Sequence, residues 1–157
     1  EGLSPEIDCK LMMVGEGPEK VKAIEYIENA GLEDKILFLG NSNEIDKILC
    51  YSDLFLLPSE KESFGLSALE AMAHGVPVIS SNAGGISEVN IDGVSGYLAD
   101  IGDVDTMVVR AKELLSNDEL HSQFKKQAKQ QASKFSLEKI IGKYETIYSD
   151  AVASIQF

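Results

Sequence analysis

Leu54-Phe55-Leu56-Leu57-Pro58-Ser59-Glu60-Lys61-Glu62-Ser63-Phe64-Gly65-Leu66-Ser67-Ala68-Leu69-Glu70-Ala71-Met72-Ala73-His74-Gly75-Val76-Pro77-Val78-Ile79-Ser80 spans one repeat of an alternating fold. Residues 54–57 form an apolar run too short for a helix and bounded by Pro58, which predicts a buried strand. An acidic loop leads to Gly65, and residues 65–74 predict a helix closed by Gly75. Residues 76–80 then supply another strand. A strand, a helix and a strand in about 25 residues imply a parallel pair with a crossover.

The pattern extends on both sides. Residues 10–14 predict a strand ended by Gly15-Glu16-Gly17-Pro18, with Pro18 in the first turn of a helix that buries Val21, Ile24 and Ile27. Residues 36–39 predict the next strand, residues 43–50 a helix with Ile45, Ile48 and Leu49 inward, and residues 96–98 a short last strand. Strands apolar on both faces, alternating with helices, predict a Rossmann-like doubly wound parallel sheet covered on both sides. Ligands of such sheets sit beyond the carboxyl ends of the strands. That rule selects residues 15–18, 40–43, 58–65 and 80–87.

The last third is helical. Val104, Met107, Val108, Ala111, Leu114 and Leu115 share one face of a first helix, and Leu120, Phe124, Ala128 and Ala132 recur four apart in a second. Ser136 is placed to cap a final helix striped by Ile140, Ile141, Tyr144, Ile147, Tyr148, Ala151, Val152 and Ile155. The stripe is long for so small a domain, and its distal end is expected to meet something outside this sequence. Tyr144 and Tyr148 on it read as packing residues.

Composition restricts the function. The chain has 157 residues, 44% hydrophobic and 25% charged, enough for one domain. No apolar run reaches the ~20 residues that cross a bilayer, and the start, Glu1-Gly2-Leu3-Ser4-Pro5, lacks the features of a signal peptide. It reads as a cut within a longer cytoplasmic protein. Cys9 and Cys50 have no metal-ligand spacing and read as reduced, semi-buried packing residues. A formal net charge of −12 argues against nucleic acid, whose phosphates require a basic stripe. An anionic ligand would need backbone N–H groups, helix ends, or cations from elsewhere.

The loop before the 65–74 helix meets that need. Its first N–H groups lack internal partners and carry the positive end of the helix dipole, so they can receive a phosphate. Gly65 permits close approach of a ligand to the backbone. Glu62 and Glu70 accept hydrogen bonds only, which suits hydroxyl-rich ligands such as a sugar and a ribose. The plainer reading makes Glu62 a dipole-complementing acid and Glu70 a solvated one, although Glu70 among Leu66, Leu69, Met72 and Ala73 is expected to have a fixed partner. His74 and His121 have no triad or metal partner in sequence and read as structural or exposed. Gly84-Gly85 is either a plain turn or a ligand-facing helix start.

Glu62-Ser63-Phe64-Gly65-Leu66 with Glu70, continued by Ala71-Met72-Ala73, Gly75 and Pro77-Val78, resembles the E-x7-E signature of the family 4 retaining glycosyltransferases. Gly15-Glu16-Gly17-Pro18 is similar to their GxGP turn. Phe38-Leu39-Gly40, Ser52-Asp53 with Leu57-Pro58-Ser59, Gly84 to Val89, and Asp92 to Leu98 follow in the family's order. The likeness spans roughly residues 9–150. It implies the donor-binding, carboxyl-terminal half of a two-domain GT-B enzyme that retains anomeric configuration and generally uses no metal. Residues 57–66 and 81–86 most resemble members that carry N-acetylglucosamine from its UDP donor to L-malate, the opening step of bacillithiol biosynthesis.

Carried over by position, the resemblance makes Glu62 the catalytic contact to the donor sugar, with the amides of Phe64 and Gly65 on the same sugar. The amides of Leu66 and Ser67 would hold the diphosphate, and Glu70 the ribose. Gly40 and Asn41 would line the base, and Gly15 and Gly17 would pack near the nucleotide. One departure is plain: the family's diphosphate-neutralising Arg and Lys have no counterpart ahead of Leu11, where Lys10 stands alone. The domain's first strand and the acceptor domain are also absent from this sequence, and Lys61 reads as a solvated charge. Two further readings stay open: a UDP-binding module without turnover, and a nucleotide-sugar epimerase of the same architecture. A dinucleotide dehydrogenase is disfavoured because Lys20 stands where G-x-G-x-x-G needs its last glycine.

Overall fold

The computed structural model describes residues 2–3 and 6–154. The readings that involve Glu1, Ser4, Pro5 and Ile155 fall outside them. The strands are β1 (Leu11–Val14), β2 (Ile36–Gly40), β3 (Phe55–Leu57), β4 (Val78–Ser81) and β5 (Gly96–Ala99). The helices are α1 (Lys20–Ala30), α2 (Ile45–Cys50), α3 (Leu66–Ala73), α4 (Ile86–Val89), α5 (Val104–Leu115), α6 (Asp118–Ala132) and α7 (Leu137–Ser154), with 3-10 turns at Glu33–Lys35 and Ser133–Phe135. Every strand pairing is parallel. The expected alternation is therefore present, with boundaries moved by a residue or two.

β4 shows why the sheet holds. All four of its residues are buried, Val78 within a core of Met72, Val76, Ile86 and Val89, and Ile79 in a second core with Tyr97, Met107, Leu114 and Phe124. Successive strand side chains point to opposite faces, so these two cores are the two covered faces of the sheet. Removing a side chain such as Ile79 or Leu114 from water contributes about 1.5–3 kcal/mol. Phe124, Ala128 and Ala132 of α6 are buried as their spacing predicts.

Several expectations need correction. β1 and β2 are not covered on both sides: Leu11, Met13, Val14, Leu37 and Leu39 are exposed. These two strands pair only with each other, as a two-stranded sheet apart from the β3-β4-β5 sheet. A cavity runs along the free edge of β1, so many of their side chains lack cover. Pro18 precedes α1, which begins at Lys20, and Val21 is exposed while Ile27 is buried. Val104 lies at the mouth of α5, exposed, and Cys50 at the end of α2 is exposed too. α7 buries no residue along its length; Tyr144 and Tyr148 face each other with ring centroids 6.4 Å apart and remain exposed. Its apolar stripe is regular, yet beyond half-buried Ile140 its described residues are all exposed.

Candidate functional site

The carboxyl ends of the parallel strands bring the expected loops to one edge. At the end of β1, Gly15 takes φ +116° and its N–H donates to the carbonyl of Gly40, at 2.8 Å, at the end of β2. Gly40 itself has φ +61°, a conformation other residues rarely adopt. Gly15 and Gly40 therefore lock two loops together, with Gly17 and Asn41 exposed beside them. Glu16 joins this corner through an ion pair with Lys20 at 2.8 Å.

Beyond β3, Glu62 turns back onto its own loop. Its Oε1 accepts the N–H of Gly65 at 3.1 Å and that of Phe64 at 3.4 Å. The carboxylate thus occupies the two amides that the family resemblance would give to a donor sugar. Gly65 caps α3 with φ +94°, and a Cβ there would lie 2.2 Å from Cδ1 of Ile86. The next amides, of Leu66 and Ser67, have no carbonyl four residues back in the helix to bond. Leu66 and Ser67 are exposed, so a ligand can reach them. Phe64 packs edge-on against Phe135 at 5.7 Å, which anchors the loop from below.

The Gly84-Gly85 turn closes the site. The N–H of Gly85 donates to the carbonyl of Glu62 at 3.3 Å, and added Cβ atoms at 84 and 85 would sit 1.7 Å and 2.6 Å from the carbonyls of Glu62 and Ser63. The turn is therefore neither a free loop nor only a ligand contact: it holds the Glu62 backbone. Glu70 is placed on α3 together with Ser67 along a cavity that Val14 also lines. Its carboxylate is exposed and has no fixed partner among the described residues, contrary to expectation. Of its apolar neighbours in sequence, Met72 is buried on another face of α3, while Leu66 and Ala73, a turn before and after on Glu70's own face, are exposed like it.

Each histidine ring meets a main-chain carbonyl, and His74 Nε2 also lies 3.4 Å from Asp46 Oδ1. His74 Nδ1 is 2.9 Å from the Glu70 carbonyl and His121 Nε2 is 2.7 Å from that of Asp53. Lys61 is exposed. No described group of three His, Cys, Asp or Glu side chains is arranged to hold a metal ion, and no described helix is long and apolar enough to cross a membrane.

One structural element of the site escaped the sequence. Asn90, fully buried, donates from Nδ2 to the carbonyls of Val78 and Tyr97 at 3.3 and 3.1 Å and to Ser80 Oγ at 3.1 Å. Ser95 Oγ donates to its Oδ1 at 3.4 Å. This polar hub ties α4 to β4 and β5, and so fixes the Gly84-Gly85 turn. An Asn between Val89 and Ile91, in an otherwise apolar stretch, was the available signal.

Residues 3–131 match the family described as Glycosyl transferases group 1. N-acetyl-alpha-D-glucosaminyl L-malate synthase of Bacillus anthracis is 45% identical over 94% of this chain, which spans 39% of that protein's length. The crystal structure of Anabaena HepE in complex with UDP-glucose superposes with a TM-score of 0.83 at 27% identity, over 94% of this chain and 43% of that one. The carboxyl-terminal domain of a glycosyl transferase group 1 family protein from Francisella tularensis gives 0.77 at 29% identity, over 85% of this chain and 73% of that one.

Proposed function

Because the chain belongs to the group 1 glycosyl transferase family, we propose that it is the donor-binding domain of a retaining hexosyltransferase that moves N-acetylglucosamine from UDP-N-acetylglucosamine to L-malate in the cytoplasm. Its parallel α/β fold and long final helix match the carboxyl-terminal half of GT-B glycosyltransferases. The observation that carries the reading is the Glu62-to-Ser67 segment, where one carboxylate and four successive amides converge at the start of α3. The sugar and acceptor are supported by the name of the relative at 45% identity, and UDP by the nucleotide in the HepE complexes.

Each group then has one task. The amides of Leu66 and Ser67, with the dipole of α3, take negative charge from the diphosphate as it leaves. Glu70 accepts from the ribose hydroxyls, and Gly15, Gly17, Gly40 and Asn41 line the base. Glu62 releases the amides of Phe64 and Gly65 to the sugar and accepts from its hydroxyls. Orientation of the anomeric centre against an acceptor held elsewhere is the main contribution to rate. The chain is about two fifths of its relatives' length, and the acceptor is assigned to the missing portion.

Calorimetric titration of the 157-residue chain with UDP, UDP-N-acetylglucosamine and NAD tests this. Weak binding of both UDP compounds without NAD binding is expected. NAD binding without UDP binding would overturn the reading. Purified chain is expected to transfer nothing to L-malate. Binding by the longer protein without turnover would favour a UDP-binding module instead.

A further inference from the structure

The loop from Glu62 to Gly65 is held from two sides. On one side stands α4: the Gly85 N–H donates to the Glu62 carbonyl at 3.3 Å, and a Cβ on Gly65 would strike Cδ1 of Ile86. On the other, the Phe64 ring stands edge-on to that of Phe135, with 5.7 Å between centroids and 74° between planes. Both rings are half-buried and pack on a core that includes Met72, Ile86, Ala128 and Ala132. An edge-to-face pair contributes about 0.5–1.5 kcal/mol beyond the area it buries, and it restricts how the two rings lie.

Phe135 is fixed by the way α6 ends. The helix tightens after Ala132 into the 3-10 turn Ser133–Phe135. Side chains three apart eclipse in such a turn, so Phe135 stays on the face that Ala132 buries. Ser133 Oγ donates to the Gln130 carbonyl at 2.8 Å, and Lys139 Nζ donates to the Ser133 carbonyl at 2.7 Å. One turn earlier, buried Gln131 donates from Nε2 to the Glu88 carbonyl of α4 at 3.4 Å. The two holds on the loop are therefore tied to each other. Contacts run from Phe135 through Phe64 to Glu62, through Gly85 into α4, and from Glu88 through Gln131 back to the turn.

We propose that Phe135 is a positioning residue of the donor loop: by holding the Phe64 ring it aims the Phe64 and Gly65 N–H groups at the point where the Glu62 carboxylate now sits. The inference rests on the function proposed above, in which that point receives the donor sugar. The ring and the amide of Phe64 share one Cα, so a fixed ring restricts the direction of the N–H. The Phe64 N–H lies 3.4 Å from Glu62 Oε1, against 3.1 Å for Gly65, too long a bond to orient the amide by itself. Phe135 is not enclosed on every side, because a groove of about 420 Å³ runs past it between Leu69 and Glu70 of α3 and Lys129 of α6. A smaller side chain at 135 opens onto that groove and leaves no sealed void, which lessens the cavity cost of removing the ring.

The test uses the full-length protein and compares Phe135→Leu, Phe135→Tyr, Phe64→Leu and the double Leu variant. Phe124→Leu is the control, since the Phe124 ring meets Tyr97 in the core on the other face of the sheet. Hydrogen exchange, UDP calorimetry and steady-state transfer from UDP-N-acetylglucosamine are read on each. Phe135→Leu is expected to speed exchange of the Phe64 and Gly65 amides about tenfold. It should also lower kcat about tenfold, since a misplacement of about 1 Å can cost about a hundredfold. UDP affinity should not move, because the amides proposed for the diphosphate are those of Leu66 and Ser67. Phe135→Tyr, which keeps the ring, should restore exchange and rate. In the Phe64→Leu background Phe135→Leu should lower kcat no further, because its route to the site is already gone. A further loss there, or the same exchange and rate changes in Phe124→Leu, makes Phe135 a packing residue and overturns the proposal. A parent protein that binds no UDP compound overturns the donor reading, and this role with it. A parent that binds and turns over, matched by Phe135→Leu in exchange and rate, overturns the positioning alone.

Discussion

The carbonyl oxygen of Glu62 occupies the place that a side chain on Gly84 would need, 1.7 Å from the position of its Cβ. Two segments 22 residues apart are thus pressed backbone to backbone, and the Gly85 N–H bonds that same oxygen. Gly84→Ala therefore has two costs, a left-handed φ of +54° and a clash that must displace the Glu62 loop. Gly93 isolates the first, since it has φ +67° and nothing within 4 Å of an added Cβ. Gly93→Ala is expected to lose about 1–2 kcal/mol, the cost of the left-handed backbone. Gly84→Ala should lose distinctly more in urea denaturation and also weaken UDP-N-acetylglucosamine binding. Equal losses for the two would mean that the Glu62–Gly84 contact is slack.

Asn90 supports the same turn from beneath. Asn90→Ala leaves the carbonyls of Val78 and Tyr97 and the hydroxyl of Ser80 short of a donor inside the core. A loss of about 1–3 kcal/mol for each group left unsatisfied bounds the effect. Asn90→Asp preserves shape but turns a carboxylate toward the carbonyls of Val78 and Tyr97, which only accept, with the Ser80 hydroxyl the one of the three that can turn to donate. It should be less stable than Asn90→Ala at pH 7 and recover as pH falls, because a protonated carboxyl can again donate. A pH-independent Asp variant would show that the hub is hydrated.

Asp103 gives the fold a separate acid sensitivity. It caps α5, accepting the N–H of Thr106 at 3.0 Å and its hydroxyl at 2.6 Å. The Thr106 hydroxyl and then the Thr106 amide hold this carboxyl below the usual aspartate range. A depressed value means that the charged form is favoured by folding, so the contribution is present above the unfolded value of about 3.9 and is lost as pH falls through the folded one. Asp103→Asn keeps an acceptor but no titrating group. Its stability difference from the parent should shrink between pH 5 and the acid limit, which thermal melts across that range would read.

These residues show what the sequence could carry. Spacing four apart placed Phe124, Ala128 and Ala132 in the core because α6 has a partner along its length. The same periodicity misjudged Val21, Val104 and the α7 stripe, because period reports which residues share a face and not whether that face is covered. β4 was legible as a strand buried on both sides, whereas β1, equally apolar, borders an empty cleft. At the site, residue type and position located the loops through Gly15, Gly40, Glu62 and Gly65. The clasp between Glu62 and Gly84 joins segments with no local pattern in common, so it exists only in the folded chain.

Glu62 and Glu70 should fail differently when changed to Gln in the full-length enzyme. Glu62 Oε1 accepts from Phe64 and Gly65, and Gln retains an oxygen that can do the same. The loop should therefore keep its shape, and UDP affinity should stay nearly unchanged because the contact proposed for this group is to the sugar. Its loss should appear as a parallel fall in kcat and kcat/KM, the signature of an interaction made mainly in the transition state. The Glu70 carboxylate has no partner among the described residues and is exposed at the cleft with Ser67. Glu70→Gln should leave stability within about 0.5 kcal/mol of the parent, as for surface changes away from fixed contacts. UDP binding should weaken by about 1–3 kcal/mol, the usual contribution of a hydrogen bond to a charged group. The competing view makes Glu62 a helix-start acid and Glu70 a solvated one, with near-normal kinetics for both. Calorimetry with UDP, thermal melts and steady-state rates on the pair separate the two views. Parent-like binding and turnover in both variants would mean that the donor sits elsewhere on the sheet edge.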